Sequence, residues 1–145
     1  MRDPPSLHYD PHPGPDLVRL VEEHVNTAAM HALGALDHSP ANFFLKSARG
    51  EWVGGCLGMV WANWLHVRYL WVAERLRGQG QGARLLAAAE DHARALGAGH
   101  ATLDTLNPAA LGFYRRQGYE VFGTLEDYPP GFARYYLRKR LGAAG

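Results

Sequence analysis

The stretch Arg77-Gly78-Gln79-Gly80-Gln81-Gly82 constrains this chain more tightly than any other. An apolar, alternating run from Leu65 to Val72 precedes it, and a helical pattern from Ala83 to Leu96 follows. Glycine lets a backbone adopt positive φ and lets another group approach it without a Cβ in the way. The first N–H groups of a helix have no partner within the helix, and the helix dipole favours negative charge at that end. A strand, a glycine turn opened by arginine, and a helix start therefore predict a phosphate-binding turn.

The segments around the turn decide what kind of sheet it belongs to. Ser6 to Asp10 reads as a short first strand, cut off by Pro11, Pro13 and Pro15. Leu17, Val18, Leu20, Val21, Val25, Ala28 and Ala29 fit a helix that opens near Asp16. His31 to Pro40 fits either a second short helix or a loop. Three strand-like runs follow, Asn42 to Ala48, Trp52 to Ala62 and Trp64 to Val72, with turns at Arg49-Gly50-Glu51 and around Asn63. In the third run Leu65, Val67, Tyr69 and Trp71 alternate with His66, Arg68, Leu70 and Val72. Both faces read as largely apolar, the pattern of a central strand. After the turn come a helix ended by Gly97, a strand from Ala101 to Thr105, and a short helix opened by Asn107-Pro108 and stopped by Gly118. Strands at Tyr119 to Leu125 and Phe132 to Arg140 close the chain. The expected fold is α/β of the α+β type: one domain over 1–145, with a mixed, mostly antiparallel sheet of about six to seven strands and about four helices.

Composition narrows the class. At 145 residues, with 47% hydrophobic and 20% charged residues, the chain suits one globular domain rather than a disordered one. A net charge of +1 supplies no basic field for nucleic acid. Cys56 is the only cysteine, which excludes an intrachain disulfide and a cysteine zinc site. No His-Glu-x-x-His spacing occurs among the histidines, so no metal is expected. The start of the chain lacks the apolar core of a signal peptide, and no apolar run is long enough to span a membrane. The expected location is the cytoplasm, with no membrane partner.

Three phosphate motifs compete for the turn. A P-loop is excluded because no Gly-Lys-Ser/Thr follows. Gly78, Gly80 and Ala83, with Asp104 downstream, meet a loose dinucleotide pattern, but consecutive strands before the turn do not suit a doubly wound domain. Arg77-x-x-Gly80-x-Gly82, continuing into Leu85-Leu86, resembles the pyrophosphate-binding signature of the GNAT acetyltransferase superfamily. Asn107, Ala110 and Tyr114 keep that family's Asn-x-x-Ala-x-x-x-Tyr spacing and run into Gly118-Tyr119. The likeness is fullest from Leu65 to Val121 and weaker from Gly123 to Gly131.

The resemblance implies acetyl-CoA as acyl donor and a primary amine as acceptor, more readily a small molecule than a protein. It places the pyrophosphate on the N–H groups of Gln79, Gly80, Gln81, Gly82 and Ala83, beside Arg77 and Gly78. The pantetheine arm then pairs with the strand at Trp71 and Val72, where the Val72 amide polarises the thioester carbonyl. Tyr114 is the implied donor of a proton to the departing thiolate, and Asn107 an implied cofactor contact. Family members often dimerise, so a homodimer is also implied. An acyl-CoA sensor without turnover is the alternative function of the same fold.

Each of these residues also has a purely structural reading. Tyr114 could simply pack its helix onto the sheet, and Asn107 could simply cap it. Cys56 reads as a small core residue. An amine must lose its proton before attack, and three side chains are candidates to receive it: Asp104, then His66, then Glu74. Against them stand a turn-capping aspartate, a strand histidine beside Trp61 and Trp64, and a solvated loop charge. For the acceptor pocket the candidates are Glu22, Glu23, Asp37 and His38, with Trp61, Trp64 and Tyr128 as aromatic walls. Arg138-Lys139-Arg140 reads as a solvated strand edge.

Overall fold

A computed structural model describes residues 3–34 and 37–142. Two compact units make up the chain, Met1–Leu36 and Asp37–Gly145. The first is a single helix with an extended lead. The expected strand at Ser6 to Asp10 does not form; this stretch is unpaired, with Ser6 bonded to His8 (2.8 Å) and the His12 amide to Asp10 (3.0 Å). Prolines 11, 13 and 15 follow at once, so this stretch runs directly into residues with no N–H to give to a sheet. Helix α1 spans Pro15–Leu33, with proline at its start and Asp16 in the first turn bonded to Arg19. It runs on through His31 because Met30 to Leu33 contain no breaker, and it ends where Gly34 (φ 82°) bonds back to Met30 O. One long helix thus stands where a helix plus a possible second helix was expected, and the described residues form three α-helices where about four were expected. Residues 35 and 36 of that segment lie outside the described residues.

The second unit is built on a mixed sheet. Its strands are β1 (Ser39–Pro40), β2 (Phe43–Lys46), β3 (Trp52–Trp61), β4 (Trp64–Val72), β5 (His100–Thr105), β6 (Glu120–Glu126) and β7 (Ala133–Arg140). The spatial order is β1-β3-β4-β5-β7-β6, with β2 also paired to β3, and only β4–β5 is parallel. The β3–β4 hairpin turns at Ala62 and Asn63, both at positive φ (50° and 73°), as a two-residue turn between right-twisted strands requires. Helix α2 (Gln81–Ala95) lays Leu85, Leu86, Ala89 and Ala93 on one face of the sheet, against Cys56, Leu65, Val67 and Ala101. Helix α3 (Pro108–Arg116) adds Leu111, Phe113 and Tyr114 to the same core.

The apolar look of both faces of β4 has a different cause from the one its alternation suggests. Val67 pairs with Gly58 and Tyr69 with Leu57, which leaves Arg68 as an extra residue. This bulge shifts the phase of the strand by one. Leu65 and Val67 are buried before it, Leu70 and Val72 pack on the same core after it, and Tyr69 and Trp71 stay exposed. The strand is central, as expected, but only one face of it is core.

One charged group is drawn inside. Glu90 of α2 is 5% exposed and accepts from the Tyr119 hydroxyl (2.7 Å) and from Lys139 Nζ (2.8 Å). A buried carboxylate needs such partners to be tolerated. Together they tie α2 to the start of β6 and to β7.

Candidate active site: the split between strands four and five

Strands β4 and β5 pair only at their beginnings, Trp64–His66 against His100–Thr102. Beyond that point Val67–Val72 have β3 on one side and, among the described residues, no strand on the other, while β5 continues along β7. Backbone polar groups left open in this way need a partner. The direction of Val72 follows from its neighbour. The Ala73 N–H donates to Val53 O on β3 (2.8 Å), and successive residues of a strand alternate sides, so the Val72 N–H and C=O point into the split. Consistently, Val72 O accepts from Arg77 Nε, which folds back to it at 3.1 Å.

A short 3-10 turn, Glu74–Leu76, links β4 to the glycine segment. Gly78 and Gly80 both adopt positive φ (75° and 80°), the second as the residue before α2. A Cβ at either would meet nothing within 4 Å, so glycine is needed there for backbone conformation rather than for space. Gly82 differs: a Cβ would lie 3.4 Å from Phe113 Cζ and 3.8 Å from Val72 Cγ2. Its bareness lets α2, α3 and the end of β4 converge. Arg84 is the first residue of α2 whose N–H bonds back, to Gly80 O (3.0 Å), so the amides of Gln81, Gly82 and Ala83 form the free first turn. Gln79 bonds through its side chain to Arg75 O (3.3 Å), bracing the turn.

Tyr114 and Asn107 lie on α3. Asn107 Oδ1 accepts from the Ala109 amide (3.0 Å), the capping role its position before Pro108 predicts. Tyr114 is half-buried, edge-on to Phe113 and Tyr119 at ring distances of 5.0 and 5.9 Å, and its hydroxyl has no hydrogen-bond partner among the described residues. Burial pushes its phenol above the ordinary value of 10.0, and the nearby Cys56 thiol adds to the shift. The hydroxyl therefore keeps its proton at neutral pH and is free to donate it. Cys56 is itself fully buried, and burial pushes its thiol up to about 11, with Glu90 adding to the effect, so it remains an inert core group.

The three candidate bases differ sharply in surroundings. Glu74 is exposed in the 3-10 turn, before the glycines. Asp104 is paired with Arg134 of β7, so its charge is already engaged. His66 is exposed, has no hydrogen-bond partner among the described residues, and is the last β4 residue paired with β5. It stands where the strands part. Ala101 and Leu103 are buried on the α2 side, so His100, Thr102 and Asp104 face the other way, as His66 does between buried Leu65 and Val67.

The expected acceptor aromatics separate. Trp61 stacks with His38 (5.5 Å) and Trp64 with His100 (4.6 Å), both at the hairpin end of β4, away from the split. Asp37 is exposed beside His38, and Glu22 and Glu23 are exposed positions of α1. Tyr128 does lie on the split side, its ring 4.5 Å from the Arg134 guanidinium carbon. Arg134 itself carried no signal in the sequence; thirty residues separate it from Asp104, and only the β5–β7 register joins them. Among the described residues no three His, Cys, Asp or Glu side chains group together as metal ligands, and no helix is long and apolar enough to cross a membrane.

Comparison with known proteins adds three findings. The model of the acetyltransferase (GNAT) family matches residues 6–119. The chain is 45% identical to a blasticidin-S acetyltransferase of Streptomyces morookaense over 64% of its own length and 69% of that protein's. It is 37% identical to an acetyltransferase of Agrobacterium fabrum over 74% and 78%. Its fold matches a crystal structure of a protein assigned as an acetyltransferase from Agrobacterium tumefaciens with a TM-score of 0.88 and 30% identity, covering 93% of this chain and 98% of that one.

Proposed function

The chain is an acetyltransferase of the GNAT family, and from that premise we propose that it acetylates a primary amine of a small molecule. Enzymes of this family use acetyl-CoA. The observation that carries the reading is the split: a strand edge whose Val72 amide is unpaired leads directly to a glycine turn and the open first turn of α2. A pantetheine arm is an extended chain of amides that an open strand edge suits, and a pyrophosphate suits the amides of Gln81, Gly82 and Ala83. Arg77 adds a cation at the same place, and Asn107 Nδ2, at the start of α3, is not used in the cap.

The acceptor nitrogen attacks the thioester carbon directly. A C–N bond forms and the C–S bond breaks. The Val72 N–H faces the oxygen on which charge develops. Tyr114, which keeps its proton at neutral pH, gives it to the departing sulfur as the C–S bond breaks. His66 is our choice as base, at the end of a water chain to the amine, because Asp104 is held by Arg134 and Glu74 lies in the exposed 3-10 turn beyond β4. The preference for a small acceptor rests on the relative named for blasticidin-S.

The test is thiol release from acetyl-CoA over a panel of small primary amines that includes blasticidin-S. One thiol per acetamide formed is expected for at least one amine. Silence across the panel, with acetyl-CoA bound, would remove the small-molecule assignment.

A further inference from the structure

Arg134 is placed beside the split in an unusual state. Its Nη1 donates to Asp104, and its guanidinium lies over the Tyr128 ring at 4.5 Å. Its Nε is buried and has no hydrogen-bond partner; among the described residues it is the one buried side-chain nitrogen or oxygen so left. A buried donor without a partner is costly, so its persistence calls for a reason. The group concerned is specific. The Nε–H and one Nη–H of a guanidinium point the same way and form a two-pronged edge that matches a carboxylate. Asp104 occupies the other side of the guanidinium and leaves this edge without a protein partner.

Position connects that edge to the chemistry. Asp104 lies two residues beyond Thr102, where β5 parts from β4, and on the sheet face that also carries His66. Arg134 shares that face, because it alternates with Leu137 and Tyr135 on β7 and reaches Asp104 beside Tyr136. Because Asp104 and Arg134 cancel, the pair does not by itself draw in a simple alkylammonium. Resting on the acetyltransferase reading above, we infer that the acceptor amine carries a carboxylate, and that Arg134 binds it through the unoccupied Nε edge. Asp104 holds the guanidinium in orientation for this, as a positioning residue. Nε itself is covered in this structure, so binding requires it to be uncovered. The exposed turn 127–132 carries Tyr128, whose ring lies over the guanidinium.

The experiment uses the full chain with matched acceptors: β-alanine, 6-aminohexanoate and lysine against their carboxamides. Binding to the CoA-loaded protein is measured by calorimetry and turnover by thiol release from acetyl-CoA. At least one acid should bind roughly tenfold more tightly than its amide, the scale of a charged hydrogen-bonded pair. Arg134→Gln should erase that preference, and Arg134→Lys should restore part of it, with CoA affinity unchanged in both as the control for folding. Equal binding of acid and amide, binding of neither, or equal losses on both in the variants would overturn the inference. Turnover without acid preference sinks the carboxylate site and leaves acetyl transfer standing. Acid-selective, Arg134-dependent binding without turnover upholds the site and counts against the transferase assignment of these amines.

Discussion

The two sides of the split are made of different material. The proposed donor side, from Val72 through Ala83, is one continuous stretch that offers backbone: an outward amide on β4, two glycines at positive φ, and the open first turn of α2. The proposed acceptor side is assembled from side chains of four separate places, His66 on β4, Asp104 on β5, Tyr128 in a turn and Arg134 on β7. Backbone amides do not change when a side chain does, so the donor side is sensitive mainly to what crowds it. Side chains are placed by register, so the acceptor side is open to change at every position.

Breaking that contrast calls for substitutions on each side. Tyr114→Phe is expected to have the largest effect, lowering kcat about a thousandfold, within the range for loss of a general acid. CoA affinity should hold, because the ring packing with Phe113 and Tyr119 survives. Unchanged kcat would return Tyr114 to a packing role. The high position of its phenol adds a pH signature. Because its pKa lies above 10.0, wild-type kcat should show no fall assignable to Tyr114 below that pH.

Next comes His66→Gln, with kcat/KM lower by roughly a hundredfold near neutrality. Unchanged kcat/KM in the variant would assign the base elsewhere. Gly82→Val should weaken CoA binding by roughly tenfold or somewhat more, the scale of overpacking a close contact. Its branches would press on Phe113 and Val72 where α3, α2 and β4 meet. Native CoA affinity in this variant, measured by calorimetry, would place the pyrophosphate away from the turn. The contrast predicts that His66→Gln leaves CoA binding alone.

Much of the donor side could be read from local pattern. The glycines, the start of α2, the hairpin turns at Gly50 and Asn63, and the Asn107 cap are all decided within a few residues, where turn chemistry and helix periodicity act. The misreadings arose where distant partners or a change of phase intervened. Ser6 to Asp10 has strand-like residues but no ladder to join. Arg68 reads as one more step of an alternation, yet its insertion as a bulge moves Leu70 and Val72 to the core side. Asp104 reads as the end of a strand, and nothing near it in sequence announces its pairing with Arg134.

By itself, then, the amino-acid sequence determined the glycine turn, the family motifs and the class of sheet, because each depends on hydrogen bonds and apolar spacing over short distances. Only the tertiary structure decided that β4 and β5 separate after His66 and Thr102, that the Val72 amide faces the gap, and that Arg134 closes on Asp104. Those outcomes depend on which strands pair and in what register, and register is settled by packing across the whole sheet.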